Sequence, residues 1–137
     1  MKIMCDTNII LDVLLEREPF VDDSYKVLSL CEKHRIDGFV SASSVTDIYY
    51  LVRKYTHSTD LAYKAVGKLL EIVKVCSVTN NDVLTAFQKK AKDFEDCLVA
   101  TCAKFIRCDY IVTHNKKDFE EFDIPLLTPS ELLQQIS

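Results

Sequence analysis

Short apolar runs alternate with longer amphipathic segments along the chain, and this alternation predicts its elements. The apolar runs predict strands at Lys2–Cys5, Phe39–Ser41, Val75–Val78 and Tyr110–Thr113. Apolar residues at helical spacing predict helices between and after these strands. Those helices are Thr7–Leu15, Phe20–Arg35 (opened by Pro19), one capped by Ser43 or Ser44, Asp60–Val73, Asn81–Lys92, Phe94–Arg107 and Ser130–Ile136. Strands that alternate with helices in this way indicate one α/β domain over residues 1–137, with a parallel sheet covered on both faces.

Four acidic residues lie beside the ends of strands or the starts of helices. Asp6 ends the first strand, and Asp47 lies early in the helix that follows the second strand. Asp96 opens the helix in "DFEDCLVATCAKF", and Asp118 follows the strand Tyr110–Thr113. Open parallel sheets bind ligands at the carboxyl ends of their strands. The predicted topology therefore brings these four carboxylates to one edge of the sheet.

Each of these acids also has an ordinary structural explanation, because carboxylates cap helix starts and turns. Taken singly, the alternatives stay open: an N-cap at Asp6 or Thr7, a dipole-favoured position at Asp47, a capping box between Asp93 and Asp96, and a turn cap at Asp118. Taken together, they require four independent caps to meet at one edge by accident. We therefore favour a shared site.

A shared site for four carboxylates needs a cation, because like charges at close range repel and raise one another's pKa values. Mg²⁺ and Mn²⁺ prefer carboxylate and water oxygens. One or two such ions, about 3.5–4 Å apart when paired, activate water and steady the leaving oxygen of a phosphodiester. The sequence thus favours a Mg²⁺ or Mn²⁺ site for hydrolysis at phosphate.

Composition removes several other classes of protein. The net charge of −4 argues against a protein that coats nucleic acid by bulk electrostatics. Only two glycines occur, and neither follows the first strand, which removes the glycine-rich phosphate loops. The six cysteines form no C-x-x-C pair and are expected to be free and buried. The three histidines lack ligand spacing and are expected at the surface. No apolar run is long enough to span a membrane, so we expect a cytoplasmic protein.

The ordered motifs "MCDTNIILDVLL", "VSASSVTDIYYLVRKY", "DFEDCLVATCA" and "YIVTHNKKDF" resemble those of the PIN-domain ribonucleases, which include VapC-type toxins and their solitary relatives. The resemblance covers essentially the whole chain. It implies a three-layer α/β/α sandwich around a parallel sheet of four to five strands. It also implies metal-dependent endonucleolytic cleavage of RNA, and it leaves a small antitoxin and a homodimer open as partners.

Carried across position by position, the resemblance assigns Asp6, Asp96 and Asp118 to the metal-binding aspartates of the family. Asp47 stands where the family more often has Glu, so we expect this shorter acid to act through a water molecule. Three polar positions are expected to line the site, namely Asn8, Thr113 and Asn115. Asp12 matches a position that is acidic in some relatives, and we expect it to have a supporting or structural role.

Residues that would hold the substrate are less clearly indicated. Lys116 and Lys117 adjoin the proposed site and are the preferred phosphate contacts. The remaining basic groups are better explained as solvated helix faces and ends, namely Arg53–Lys54, Lys89–Lys90 and Lys92. Tyr49 and Tyr50 are candidates for stacking on a base, although Tyr49 falls on the apolar stripe of its helix and is expected in the core.

Two rival functions fit parts of the pattern. An Asp at the end of the first strand suits a phosphoryl-transfer nucleophile, but phosphatases of that kind carry a second Asp two residues later, where this chain has Asn8. A non-catalytic PIN-like interaction module would be expected to lose one or more of the acids, and all four positions remain acidic. We therefore favour the nuclease.

Overall fold

A computed structural model describes all residues, 1–137. In chain order, its strands and helices are β1 Lys2–Cys5, α1 Thr7–Leu14, α2 Val21–Glu32, β2 Asp37–Ser41, α3 Ala42–Thr56, α4 Thr59–Ile72, β3 Lys74–Cys76, α5 Asn80–Lys89, α6 Phe94–Phe105, β4 Tyr110–Val112, β5 Leu126–Leu127 and α7 Pro129–Ile136. Two short 3-10 turns, Lys116–Asp118 and Glu120–Phe122, lie between β4 and β5.

The five strands form one sheet in the order β3-β2-β1-β4-β5, and every neighbouring pair is parallel. The chain moves outward from β1 to β2 and β3, and then returns to the other side of β1 with β4 and β5. The junction of β1 and β4 is therefore a topological switch point, the place where sheets of this type open a crevice. Asp6 lies at its carboxyl end.

Successive residues of each strand face opposite sides of the sheet, which creates two apolar layers. In β1, Ile3 and Cys5 pack into a cluster with α1, α2, α3, α4 and α7, whereas Met4 packs into a second cluster with α5 and α6. β4 divides in the same way between Ile111 and Val112. This arrangement confirms the predicted α/β/α sandwich and its parallel sheet.

The predicted bounds of most elements differ from the structure by one to three residues, and three differences bear on the fold. Strand β5 was not predicted, because its two residues are too few to show a pattern. Strand β2 begins at Asp37, two residues before the predicted start at Phe39. It therefore includes Gly38, where a Cβ atom would meet the sulfur of Cys31 at 2.5 Å. Helix α3 is capped by Ser41, which accepts from the amide of Ser44; Ser43 and Ser44 themselves lie inside the helix. The helix starts as soon as the strand ends.

All six cysteines are free, and only Cys108 is not fully buried. None of the helices combines the length and the apolar character that crossing a membrane requires.

Candidate active site

Asp6 stands at the N-cap position of α1, but its side chain makes no capping bond to that helix. The hydroxyl of Thr113, at the end of β4, donates a hydrogen bond of 2.9 Å to Asp6 Oδ2 instead. The residue is 6% exposed. Burial raises the pKa of Asp6, and the bond from Thr113 opposes that rise. The strongest contact that holds the carboxylate therefore comes from Thr113, although the backbone amides of Asn8 and Thr7 also lower its pKa.

A chain of hydroxyl groups joins the start of α1 to the start of α3. Thr7 Oγ1 donates to Ser44 Oγ at 2.9 Å, and the hydroxyl oxygens of Ser44 and Ser41 lie 2.9 Å apart. All three side chains are buried. This contact sets the position of α3 against the end of β1, and it brings Asp47, in the second turn of α3, to the same edge as Asp6.

Two acids lie at the start of α6, and only one of them caps the helix. Asp93 Oδ1 accepts from the amide of Asp96 at 2.9 Å and closes the helix start. The Asp96 carboxylate does not return a bond to the backbone of Asp93, although both α5 and α7 do contain such reciprocal capping boxes. The capping explanation thus accounts for Asp93 and leaves the Asp96 side chain without a structural partner.

These acids line one open cleft of about 490 Å³ at the carboxyl edge of the sheet. Six of its lining residues are acidic, namely Asp6, Asp47, Asp93, Glu95, Asp96 and Asp118. Thr7, Asn8, Leu11, Tyr50 and Leu51 complete the wall, and no basic side chain lines it. We call this feature the acidic cleft. The structure brings all four predicted aspartates to it.

The electrostatics of the acidic cleft are those of carboxylates without enough counter-charge. The pKa of Asp96 rises from 3.8 to about 7, first because of burial and then because of the charges of Asp93, Asp6 and Asp118. A carboxyl group with a pKa near 7 takes up protons at neutral pH to relieve repulsion, and a bound cation would relieve the same repulsion. The cleft therefore favours positive charge.

Glu95 is a cleft residue that the sequence analysis did not identify. Its pKa rises from 4.5 to about 7, first because of a hydrogen bond with Asp47, then because of burial and the charge of Asp47. Asp47 is one methylene shorter than the Glu more usual at that position, and Glu95 reaches it from the opposite wall. The helix start "DFED" drew attention to Asp93 and Asp96, and nothing local marked the residue between them.

No three His, Cys, Asp or Glu side chains surround a common point at ligand distances. The donor set nevertheless fits a hard divalent cation, because it consists of carboxylate oxygens with uncompensated charge. Metal binding here would need rotation of exposed carboxylates such as Asp118, or water molecules between a carboxylate and the ion. Asp6 is held in place by Thr113, whereas Asp96 and Asp118 make no side-chain hydrogen bond that would resist such movement.

Several residues predicted to line the site have other contacts. The Asn8 side chain, which lies on the cleft wall, accepts a hydrogen bond of 3.2 Å from Arg17. Lys116, a preferred phosphate contact, binds Glu131 at 2.9 Å, because Glu131 is fixed there by the capping box of α7. Asn115 and Lys117 are exposed and do not line the cleft. The Asn115 amide donates to Thr113 Oγ1 at 3.0 Å, so its backbone supports the residue that holds Asp6.

His114 is not a surface residue, contrary to the sequence prediction. Its side chain is 14% exposed, and its ring stacks on Phe20 with centroids 4.0 Å apart. His114 Nε2 lies 3.1 Å from Oδ2 of Asp12, a fully buried carboxylate that also accepts from Ser24 at 3.0 Å. The contact joins residues 102 positions apart, so no local pattern could indicate it. Asp12 is therefore structural.

Replacing Asp96 by Asn is expected to stabilise the metal-free protein by about 1 kcal/mol at pH 7, after discounting for solvent screening of this half-exposed group. The folded-state pKa, about 7, lies above the ordinary 3.8, so the folded protein binds the extra proton between these values. This carboxyl therefore lowers wild-type stability progressively from about pH 4 to pH 7. Urea unfolding at several pH values in EDTA measures the difference, which should vanish near pH 4.

The matched control for this experiment is Asp123→Asn. Asp123 is exposed, makes no ion pair and has a φ of 53°, a backbone conformation that Asn also tolerates. We expect no change in stability from it. A loss of metal-free stability in Asp96→Asn would show that the carboxylate contributes to the fold, and would contradict the repulsion inferred for the cleft.

Sequence comparisons identify the family of the chain. A family model described as PIN domain matches residues 2–117. Ribonuclease VapC1 of Aquifex aeolicus (strain VF5) is 29% identical over 137 residues, an alignment that covers 98% of this chain and 94% of that protein.

Solved structures of low sequence identity share the fold. VapBC2 from Rickettsia felis, bound to a DNA fragment from its promoter, superposes with a TM-score of 0.72 at 19% identity, covering 93% of this chain and 98% of that one. DNA-bound VapBC from Salmonella typhimurium gives a TM-score of 0.73 at 16% identity, covering 94% of this chain and 98% of that one.

Proposed function

Because the chain belongs to the PIN-domain family, we propose that it is a metal-dependent endoribonuclease that hydrolyses RNA phosphodiester bonds in the acidic cleft. The observation that carries the proposal is the convergence of Asp6, Asp47, Asp96 and Asp118 on one cleft at the topological switch point. The name of the relative from Aquifex aeolicus, a ribonuclease, supports RNA as the substrate.

Mg²⁺ or Mn²⁺ is the proposed cofactor, as one ion or two. Asp6, Asp96 and Asp118 would hold it, and Asp47 would reach it through water. A bound divalent cation lowers the pKa of a coordinated water and neutralises charge on the phosphate. The carboxylates of this chain fit that role because they are oxygen donors, and burial together with their mutual repulsion raises the pKa of Asp96.

The other residues of the cleft have supporting roles in this proposal. Thr113 orients the Asp6 carboxylate through its 2.9 Å hydrogen bond. Glu95 contacts Asp47, and without a cation this contact raises the pKa of Glu95 to about 7, so the pair adds to the charge repulsion that a bound cation would relieve. Asn8 offers an amide beside the cleft, with its oxygen fixed by Arg17 and its NH₂ group free to donate to phosphate.

We further propose that the protein acts as the toxin of a toxin–antitoxin pair, with a small antitoxin as its partner. Both structural relatives described above are VapBC proteins, which supports this assignment. An apolar groove of about 160 Å³ between α1, α2 and α4 is of the kind that an amphipathic antitoxin helix would fill. Its apolar walls include Val13, Leu14, Leu28 and Ile72.

Incubation of the purified protein with a structured RNA tests the activity. We expect cleavage in Mn²⁺ or Mg²⁺, products that end in 3′-hydroxyl and 5′-phosphate groups, and no cleavage in EDTA, because the cleft has no positive side chain to replace the cation. End-labelling and gel analysis of the products provide the measurement. Undiminished cleavage in EDTA, or products with 2′,3′-cyclic phosphate, would contradict the proposed mechanism.

A further inference from the structure

We propose that a second groove beside the acidic cleft binds the single-stranded RNA next to the scissile phosphate; this inference rests on the proposed nuclease function. The groove has a volume of about 480 Å³ and is lined by Tyr50, Arg53, Lys54, His57 and Thr59. We call it the basic groove. Tyr50 lines both features, so the two adjoin at this residue.

The basic groove continues the acidic cleft along one face of α3. Asp47, Tyr50 and Lys54 follow one another at helical intervals of three and four residues, which places them on the same side of the helix. The helix rises about 1.5 Å per residue, so Lys54 lies about 10 Å along the axis from Asp47. A strand whose phosphate is cut in the cleft would thus have its neighbouring phosphates beside Arg53 and Lys54.

Arg53 and Lys54 are free to bind phosphate. Both are exposed, and neither takes part in any of the ion pairs of the structure. Among the cations closer to the carboxyl ends of the strands, Lys116 binds Glu131 and Arg17 binds Asn8, whereas Lys117 is exposed and lines neither the acidic cleft nor the basic groove. No acidic side chain lines the basic groove. Arg53 and Lys54 are therefore better placed to bind phosphate than Lys116, which is paired, and Lys117, which lines neither feature.

Tyr50 offers an aromatic surface at the junction of the two features. The residue is 60% exposed, and its ring meets the ring of Tyr49 edge-on with centroids 5.1 Å apart. The ring of Tyr49 in turn meets the ring of Tyr63 edge-on with centroids 5.0 Å apart, so the three rings form one cluster. An exposed ring in a held position is a platform on which any unpaired base can stack.

The charge distribution gives the basic groove its importance. The chain has a net charge of −4, and its acidic cleft repels an approaching polyanion. Local positive charge beside the cleft offsets that repulsion and keeps the strand in place. A base on Tyr50 with phosphates at Arg53 and Lys54 is the arrangement of a single-strand site, because a paired base would not expose its face.

Fluorescence anisotropy with a labelled oligouridine in EDTA measures binding without cleavage. The double variant Arg53→Gln/Lys54→Gln should bind about 10-fold more weakly at moderate salt, and the slope of log K against log salt should fall by about 1.4, which is 0.7 for each lost phosphate contact. Tyr50→Leu should bind about 10-fold more weakly, and Tyr50→Phe, which keeps the ring, should bind as the wild type does. In Mn²⁺, KM should rise in the Arg53→Gln/Lys54→Gln variant while kcat changes less than about two-fold, because neither residue lines the acidic cleft.

The matched control is Lys33→Gln/Arg35→Gln, which removes the same charges from exposed residues in the turn before β2, at the amino end of the sheet. We expect wild-type binding from it. Equal weakening in both double variants would show a bulk charge effect and overturn the inference. If the double variant Arg53→Gln/Lys54→Gln keeps RNA binding but loses binding of an oligoglutamate peptide, the groove is a protein-docking surface and the inference is also overturned.

The two proposals fail in different ways. If the wild type binds RNA but does not cleave it, the nuclease proposal fails. If the wild type cleaves RNA and the variants bind and cleave as it does, only the inference about the basic groove fails.

Discussion

RNA cleavage by an Asp6→Asn protein is expected to be at least about 100-fold slower than cleavage by the wild type at the same Mn²⁺ concentration. Asp6 lies at the switch point of the sheet, is 6% exposed and has its carboxylate oriented by Thr113. Asn keeps the size of the side chain and an oxygen that Thr113 can still bond, but it removes the charge that would hold a cation. Single-turnover cleavage rates provide the measurement.

The same variant separates loss of chemistry from loss of structure. Burial raises the pKa of Asp6, so removal of its charge should leave the metal-free protein as stable as the wild type or more so. Circular dichroism and urea unfolding check this, and Asp123→Asn, outside the cleft, should keep full activity. Equal cleavage by Asp6→Asn and the wild type would identify a contaminating nuclease, or a site elsewhere on the chain.

The sequence was sufficient to predict the parallel sheet except for β5, and to predict that the four aspartates meet at one edge of it. Parallel strands place their carboxyl ends at one edge, and Asp6, Asp47, Asp96 and Asp118 all lie near such ends or near the start of a following helix. This placement follows from the order of the strands and helices, so it stays correct when the predicted bounds of an element are wrong by a few residues.

Contacts between distant residues could not be predicted in this way. Lys116 was assigned to phosphate because it is close in sequence to Asp118, yet Glu131, fifteen positions later, binds it. His114 was placed at the surface because the histidines show no metal-ligand spacing, yet its partner Asp12 lies in α1. In both cases the partner comes from another element, and no pattern within a single element carries that information.

The contact between Glu95 and Asp47 is another that the sequence could not predict. The predicted departure at Asp47, a side chain one methylene short, was visible in the sequence, but the residue that reaches it was not. Glu95 lies on α6, which packs on the opposite face of the sheet from α3, and the two helices approach only at the carboxyl edge. The contact with Asp47 raises the pKa of Glu95 to about 7, and it became visible only with both side chains in place.

Replacing Asp12 by Ala is expected to destabilise the protein by about 3–5 kcal/mol. Asp12 is fully buried and lies 3.1 Å from His114 Nε2, 3.0 Å from the hydroxyl of Ser24 and 4.0 Å from the Arg17 guanidinium. Its removal leaves the buried hydroxyl of Ser24 and the largely buried ring of His114 without their acceptor, and an unpaired buried group destabilises the fold by more than the bond itself contributed. Urea unfolding at pH 7 gives the free energy of unfolding. The control is Asp22→Ala at an exposed position on α2, which is expected to change that free energy by about 0.5 kcal/mol or less.

The Asp12 contacts also connect α1, α2 and the end of β4, and α1 and β4 position Asn8 and Thr113. The Asp12→Ala variant should therefore lose RNA cleavage at temperatures where Asp22→Ala retains it. A destabilisation below about 1 kcal/mol would mean that water enters and replaces the carboxylate, and the network would then have no structural role.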